Sequence, residues 1–162
     1  MKRSKKVVFA VHCLLNQNAR AKGVAKTKGV VKEFVDFCIE NEYGIVPIEC
    51  PQLCFEPLLR NPENKETYDN EKSKTVFRRI AKAVVKKIKM YQSNDYLVEG
   101  IYGVEGSPSC GAVKTHITMD GETRKVKESG VFFDVLKEKL NKENITVKLF
   151  DWDIQTKKVL EK

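Results

Sequence analysis

The sequence predicts an α/β fold, a three-layer sandwich built on a mostly parallel sheet. Three observations predict it. Short apolar runs with strand character recur at residues 6–12, 44–49, 96–102 and 146–150. Amphipathic stretches long enough to be crossover helices lie between them, and that alternation implies parallel strands. A separate pair of alternating runs, 115–119 and 124–127, flanks Asp120-Gly121, a strong hairpin signal. The expected architecture is therefore Rossmann-like, with a β-hairpin near 115–127 that projects from the sheet or edges it. The 162 residues suit one domain, 1–162, with one core, and there is no internal repeat, linker or low-complexity tract.

Taken in order, residues 7–11 form the first strand, apolar throughout as parallel central strands usually are. The stretch from Cys13 to Gly23 is too polar for a strand, and Asn16 and Asn18 favour turns. A helix is expected over 28–41, with Val30, Phe34, Cys38 and Ile39 as its apolar face. Cys38 on that face reads as core packing. Tyr43-Gly44 ends the helix. Residues 45–48 make the second strand, and Pro47 pushes it to an edge or a bulge. The loop 55–69 is long and rich in Pro and Asn, so it is expected to be functional, as a lid over the site. Residues 71–92 form a long helix with an apolar stripe of Phe77, Ile80, Ala81, Val84, Ile88 and Tyr91. The third strand, 96–102, leads into a tight loop, Gly106-Ser107-Pro108-Ser109-Cys110-Gly111. Gly106 and Gly111 permit backbone angles closed to other residues, and Pro108 fixes its own φ. Ser129 is the expected N-cap of a helix over 131–142. A last strand covers 146–150, and 151–162 reads as a polar tail.

Composition bounds the function. With 41% hydrophobic and 32% charged residues the chain should be soluble and globular. No apolar run approaches the roughly 20 residues of a membrane span. The basic start is followed by only residues 7–11 as an apolar run, too short for a secretory signal, so a cytoplasmic protein is expected. The net charge of +8 reads as a Lys-rich solvated surface rather than a nucleic-acid site, because no basic stretch is interleaved with aromatics. Five cysteines, an odd number, argue against a disulfide framework and for free thiols or a metal site.

Three of those cysteines share a setting. Cys13, Cys50 and Cys110 each follow an apolar strand-like run, so each opens a loop at the carboxyl edge of the sheet, where open α/β sheets bind ligands. Soft thiolates select iron–sulfur clusters, zinc or Cu(I). Three thiolates leave one corner of a cubane cluster without a protein ligand, and an iron with an open position is a Lewis acid. The Cys50-x-x-x-Cys54 spacing is not a zinc knuckle, and the compact ferredoxin spacing is absent. Residue types and spacing alone thus leave two readings open, a metal site and a reactive-thiol enzyme.

Three motifs, Cys13-Leu14-Leu15-Asn16, Cys50-Pro51 and Gly106-Ser107-Pro108-Ser109-Cys110-Gly111, resemble those of the thiouracil desulfurase (TudS-like) family, in particular its short desulfidase branch. Their order, their separations and the whole chain length agree. The resemblance implies that Cys13, Cys50 and Cys110 hold a [4Fe-4S] cluster, whose fourth iron takes the sulfur of a thiocarbonyl, thiouracil-like substrate that is released as sulfide. It implies a single iron–sulfur domain and a small-molecule partner in sulfur metabolism. One position departs. The family commonly has Cys-Pro-Glu at the second motif, and here it is Cys50-Pro51-Gln52. Gln cannot take a proton from water, so the acid/base role passes to Glu49 or Glu105. Ser107 is expected to hydrogen-bond substrate or to position water. Asn16, Ser109 and Arg60 are the expected substrate contacts, Arg60 holding an anionic or carbonyl group. Cys54 is extra: a sulfur carrier, a fourth ligand that would close the open iron, or packing. The alternatives are a cluster-free enzyme with Cys110 as nucleophile, activated by His12 or His116, and a basic nucleotide- or RNA-binding module.

Overall fold

The computed structural model describes residues 1–162. Along the chain, β1 (Lys6–Val11) runs straight into a one-turn helix, α1 (His12–Leu15), followed by α2 (Lys32–Glu40) and β2 (Gly44–Ile48). Then come α3 (Glu71–Gln92), β3 (Leu97–Val104), the hairpin β4 (Thr115–Met119) and β5 (Glu122–Val126), α4 (Val131–Lys142), β6 (Leu149–Asp153) and β7 (Lys158–Glu161).

Five strands make one sheet in the order β2-β1-β3-β6-β7. The first four are mutually parallel and β7 is antiparallel to β6. Helices cover both faces. Phe9 meets Tyr91 of α3 edge to face at 6.3 Å. The next position along β1 pairs with Tyr102, whose ring lies 5.4 Å from Phe34 of α2 on the opposite face. Alternation along the strands therefore splits the core into an α2 layer and an α3–α4 layer. The two halves together hold a cluster of 31 buried apolar residues. The expected α/β fold with a mostly parallel, helix-flanked sheet is what the chain adopts.

Local chemistry explains most boundaries. Asn70 starts α3 by accepting the Ser73 N–H at 2.9 Å. Asp120 and Gly121 both have positive φ, 52° and 76°, as a two-residue hairpin turn that follows the strand twist requires. Pro47 sits on β2, an edge of the sheet, where its missing N–H costs no ladder bond.

Four expectations need correction. The helix expected from 28 starts at Lys32, and its buried face is Val31 (just before it), Phe34 and Cys38, while Val30 and Ile39 are exposed. Spacing of three and four from Val31 carries the face inward, and Val30 falls one step off it. Ser129 is not the cap of α4. Gly130 occupies that position without a side-chain cap. The last parallel strand is Leu149–Asp153, three residues later than expected. The supposed polar tail folds back as β7, since Val159 and Leu160 pack on the core edge despite the lysines around them.

Candidate metal centre

The carboxyl ends of β1, β2 and β3 surround a cavity of about 520 Å³, and Cys13, Cys50 and Cys110 all line it. The parallel order β2-β1-β3 places the three strand ends side by side, which is why residues 37 to 97 apart in sequence share one wall. No three His, Cys, Asp or Glu side chains are gathered closely enough to ligate a single metal ion. The thiols stand around the cavity rather than on one point. The donor set they offer is all sulfur, the chemistry that iron–sulfur clusters take.

The Cys110 loop is held by its backbone. Val104 N–H donates to the Cys110 carbonyl at 2.9 Å, and Gly111 N–H to the Ser107 carbonyl at 3.0 Å. The Ser107 Oγ accepts the Cys110 N–H at 3.0 Å. The first N–H groups of α4, Val131 and Phe132, donate to the Pro108 and Ser109 carbonyls, each at 3.1 Å. Beyond the cysteine, Asp151 on β6 accepts three N–H groups: Ala112 at 2.6 Å on Oδ1, then Val113 at 2.9 Å and Lys114 at 3.0 Å on Oδ2. Burial pushes the Asp151 carboxyl up, and the three N–H bonds pull against that shift. Of the two loop glycines, Gly106 has φ +84°, while Gly111 is required for space, since a Cβ there would lie 2.1 Å from the Lys114 carbonyl.

The Cys50 turn is held by side chains. Gln52 is buried: its Oε1 accepts from Arg60 Nε at 2.8 Å and its Nε2 donates to Ser109 Oγ at 2.8 Å. Arg60, itself buried, ties the roof together, donating from Nη1 to the Ala19 carbonyl at 3.0 Å and pairing with Glu56 at 3.3 Å. The hairpin and the long loop close that roof. Asn64 Nδ2 donates to Thr118 and Thr123 hydroxyls, both at 2.9 Å, and Thr118 N–H donates to Glu66 at 3.0 Å. The hairpin thus clamps the loop over the cavity rather than projecting free.

The remaining candidates divide. Glu105, Ser107, Ser109 and Arg60 line the cavity with the three cysteines. Glu105 is paired with Lys125 at 2.8 Å. Asn16 and Glu49 do not line it. Asn16 caps the next turn by accepting the Asn18 N–H at 3.1 Å. Glu49 turns outward to Arg79 at 3.2 Å, and that guanidinium holds its carboxyl below the usual range. Cys54 also faces outward, 3.3 Å from both Glu49 and Arg79, and is not part of the cavity wall. Sequence reasoning missed Arg20 and Lys125 in the wall, Gln52 as a fixed hydrogen-bonding residue, and Asp151 beneath the loop. An acid between Phe150 and Trp152, in an apolar strand, was the one available signal for Asp151.

Burial shifts two of the three thiols. It pushes Cys110 well above the ordinary thiol value, reinforced by the charges of Cys13 and Cys50. It raises Cys13 too, with Arg20 opposing. Soft metals would have to displace these protons, which only a strong thiolate–metal bond does.

Fold and site define an α/β protein with three strand-end thiols around one roofed cavity. No protein-family model matches the chain. Uncharacterized protein MJ0003 of Methanocaldococcus jannaschii is 24% identical over 135 residues, 83% of this chain and 86% of that protein. Among solved structures, the [4Fe-4S]-dependent thiouracil desulfidase TudS is similar, with a TM-score of 0.51 and 19% identity over 90% of each chain. That likeness is one of fold.

Proposed function

We propose that this chain is an iron–sulfur-dependent desulfidase that removes sulfur from a thiocarbonyl, thiouracil-like small molecule as sulfide. The observation that carries the reading is the meeting of Cys13, Cys50 and Cys110 on one cavity, with Cys54 turned out of it. The motifs around those cysteines and the shared fold with a [4Fe-4S]-dependent desulfidase support it.

Cys13, Cys50 and Cys110 would hold the cluster. When bound with three protein thiolates, a [4Fe-4S] cluster supplies an iron with one open position, a Lewis acid for a soft sulfur. The chain supplies the rest. Ser107 Oγ already accepts the Cys110 N–H, so its own proton is free to orient a substrate acceptor. Glu105, its charge balanced by Lys125, takes a proton from water as that water attacks the thiocarbonyl carbon. The roof of loop and hairpin limits competing water. A C–O bond forms, the C–S bond breaks, and the two protons of water end on the carboxylate and the departing sulfide, with no net redox change.

Cys110 as a cluster-free nucleophile fits less well. Burial disfavours its thiolate, and the His116 Nδ1 is committed to the Gly106 carbonyl at 2.6 Å.

Anaerobic reconstitution with iron and sulfide, read by iron content, absorption and EPR, tests the assignment. The expected result is one cluster per chain, lost in Cys13→Ser, Cys50→Ser and Cys110→Ser but retained in Cys54→Ser. No uptake, or a cluster that survives the first three substitutions, overturns it. Sulfide release from a thiouracil by the loaded protein then tests the reaction.

A further inference from the structure

We infer that Gln52 is a positioning residue that aims the Ser109 hydroxyl proton at the Cys110 sulfur and thereby tunes the cluster this thiolate would hold. The inference rests on the iron–sulfur reading above, but its observations are independent of that reading.

The chain of bonds has a forced direction. Arg60 has donors and no acceptor, so its Nε–H, 2.8 Å away, fixes which end of the Gln52 amide is oxygen. The other end, Nε2, must then face Ser109 and donate to its Oγ at 2.8 Å. With that lone pair taken, the Ser109 hydroxyl turns its proton elsewhere. The Cys110 sulfur stands 3.6 Å away as its acceptor. Gln52, Arg60, Ser109 and Cys110 are all buried, so bulk water has little access to the bonds. The result is a one-way relay, Arg60 to Gln52 to Ser109 to Cys110.

A glutamate at 52 reverses the last link. Its carboxylate accepts from both Arg60 and Ser109, so the hydroxyl proton leaves the sulfur and turns to the acid. It also sets a second carboxylate beside Arg60, which already pairs with Glu56. The amide at 52 is therefore a specific choice rather than a lost acid. It exchanges a proton acceptor for a hydrogen bond on a ligand sulfur. Hydrogen bonds to ligand sulfurs stabilise the more negative, reduced state and raise the reduction potential. They also soften the electron donation of that thiolate, which leaves the open iron a stronger acceptor for substrate sulfur.

Ser109 thus has a different task from the substrate contact expected of it. Its only side-chain partners are Gln52 and Cys110.

The test is the midpoint potential of the reconstituted protein, with pulsed EPR of the reduced cluster in heavy water to detect the exchangeable hydroxyl proton. Wild type is expected to show a coupled exchangeable proton that Ser109→Ala lacks. Ser109→Ala should shift the couple negative by about tenfold in the equilibrium, about 59 mV for one electron. Gln52→Met, uncharged and unable to donate, should shift it the same way by less. The double variant should match Ser109→Ala alone, because Gln52 acts through Ser109. Gln52→Glu should give the largest negative shift and abolish the proton coupling. If Ser109→Ala binds its cluster with an unchanged potential, or if the Gln52→Met shift persists undiminished in the Ser109→Ala background, the relay is refuted while the desulfidase reading stands. If wild type takes up no cluster, that reading falls and the relay's purpose falls with it.

Discussion

The Cys110 loop and the Cys50 turn present the same element, a thiol at the end of a parallel strand, yet they are held in opposite ways. The Cys110 loop is fixed through its backbone. Its carbonyls take the first N–H groups of α4, its outgoing N–H groups converge on Asp151, and Gly111 fits where no Cβ can. The Cys50 turn is fixed through side chains, with Gln52 bonded inward and Glu49 and Cys54 bonded outward to Arg79. Backbone anchoring sets position regardless of the side chains it carries, but one wrong contact breaks it. Side-chain anchoring is adjustable. That difference teaches where the site can vary: chemistry can be retuned at 52, while the 103–115 segment tolerates little.

The largest expected effect breaks the backbone side. Asp151→Ala leaves three N–H groups without their acceptor, two of them on buried residues, and should destabilise the fold by on the order of 3 kcal/mol or more in urea unfolding. Asp151→Asn, which keeps one acceptor oxygen, should cost less. A loss under about 1 kcal/mol for the alanine variant would show that the loop does not depend on this carboxylate.

Gly111→Ala comes next. The added methyl must push the Lys114 carbonyl aside, at a cost of roughly 1–3 kcal/mol, and iron retention after reconstitution should drop with it.

Arg60→Met probes the inward side of the Cys50 turn. It removes the bonds to Gln52 and the Ala19 carbonyl and leaves the partly buried Glu56 with the Tyr68 hydroxyl but no cation. A loss of about 1–3 kcal/mol is expected, together with faster proteolysis of loop 55–69. Unchanged proteolysis would mean that the roof is held by the hairpin contacts alone.

On the outward side, Arg79→Ala should leave the urea midpoint close to that of wild type, because the pair with Glu49 is exposed and screened. Its iron content should stay at the wild-type level. A drop would show that the outer face of the turn also sets the Cys50 sulfur.

A control far from both loops gives the smallest effect. The ammonium groups of Lys139 and Lys89 hold the Glu143 carboxyl down at about 2, against an ordinary 4.5. A depressed carboxyl contributes stability that is present above the ordinary value and lost as pH falls toward the depressed one. The gap in urea midpoint between wild type and Glu143→Gln should therefore hold above pH 4.5 and close between pH 4.5 and about 2. A gap that widens on acidification would reverse the assignment.

Much of the scaffold was legible because its signals are local. The 71–92 helix has the limits expected of it, since one apolar stripe spans the whole segment and Asn70 caps it. Asp120-Gly121 announced its hairpin through turn chemistry alone. The order of apolar runs and helices was enough to put three thiols at one sheet edge. The same local reasoning failed where packing overrode composition, at β7, a short strand among lysines that is carried by Val159 and Leu160. It also placed Asn16 and Glu49 at the site by nearness in sequence, and the structure turns both away from the cavity.

The chain itself determined the strands, the helices and which residues carry sulfur, because periodicity and turn preference act over a few residues. Only the tertiary structure decided which side chains those sulfurs meet. The bond from Gln52 to Ser109 spans 57 positions and the bond from Ala112 to Asp151 spans 39. Contacts of that range are selected by how a twisted sheet and its helices pack as a whole, and no short window of sequence encodes them.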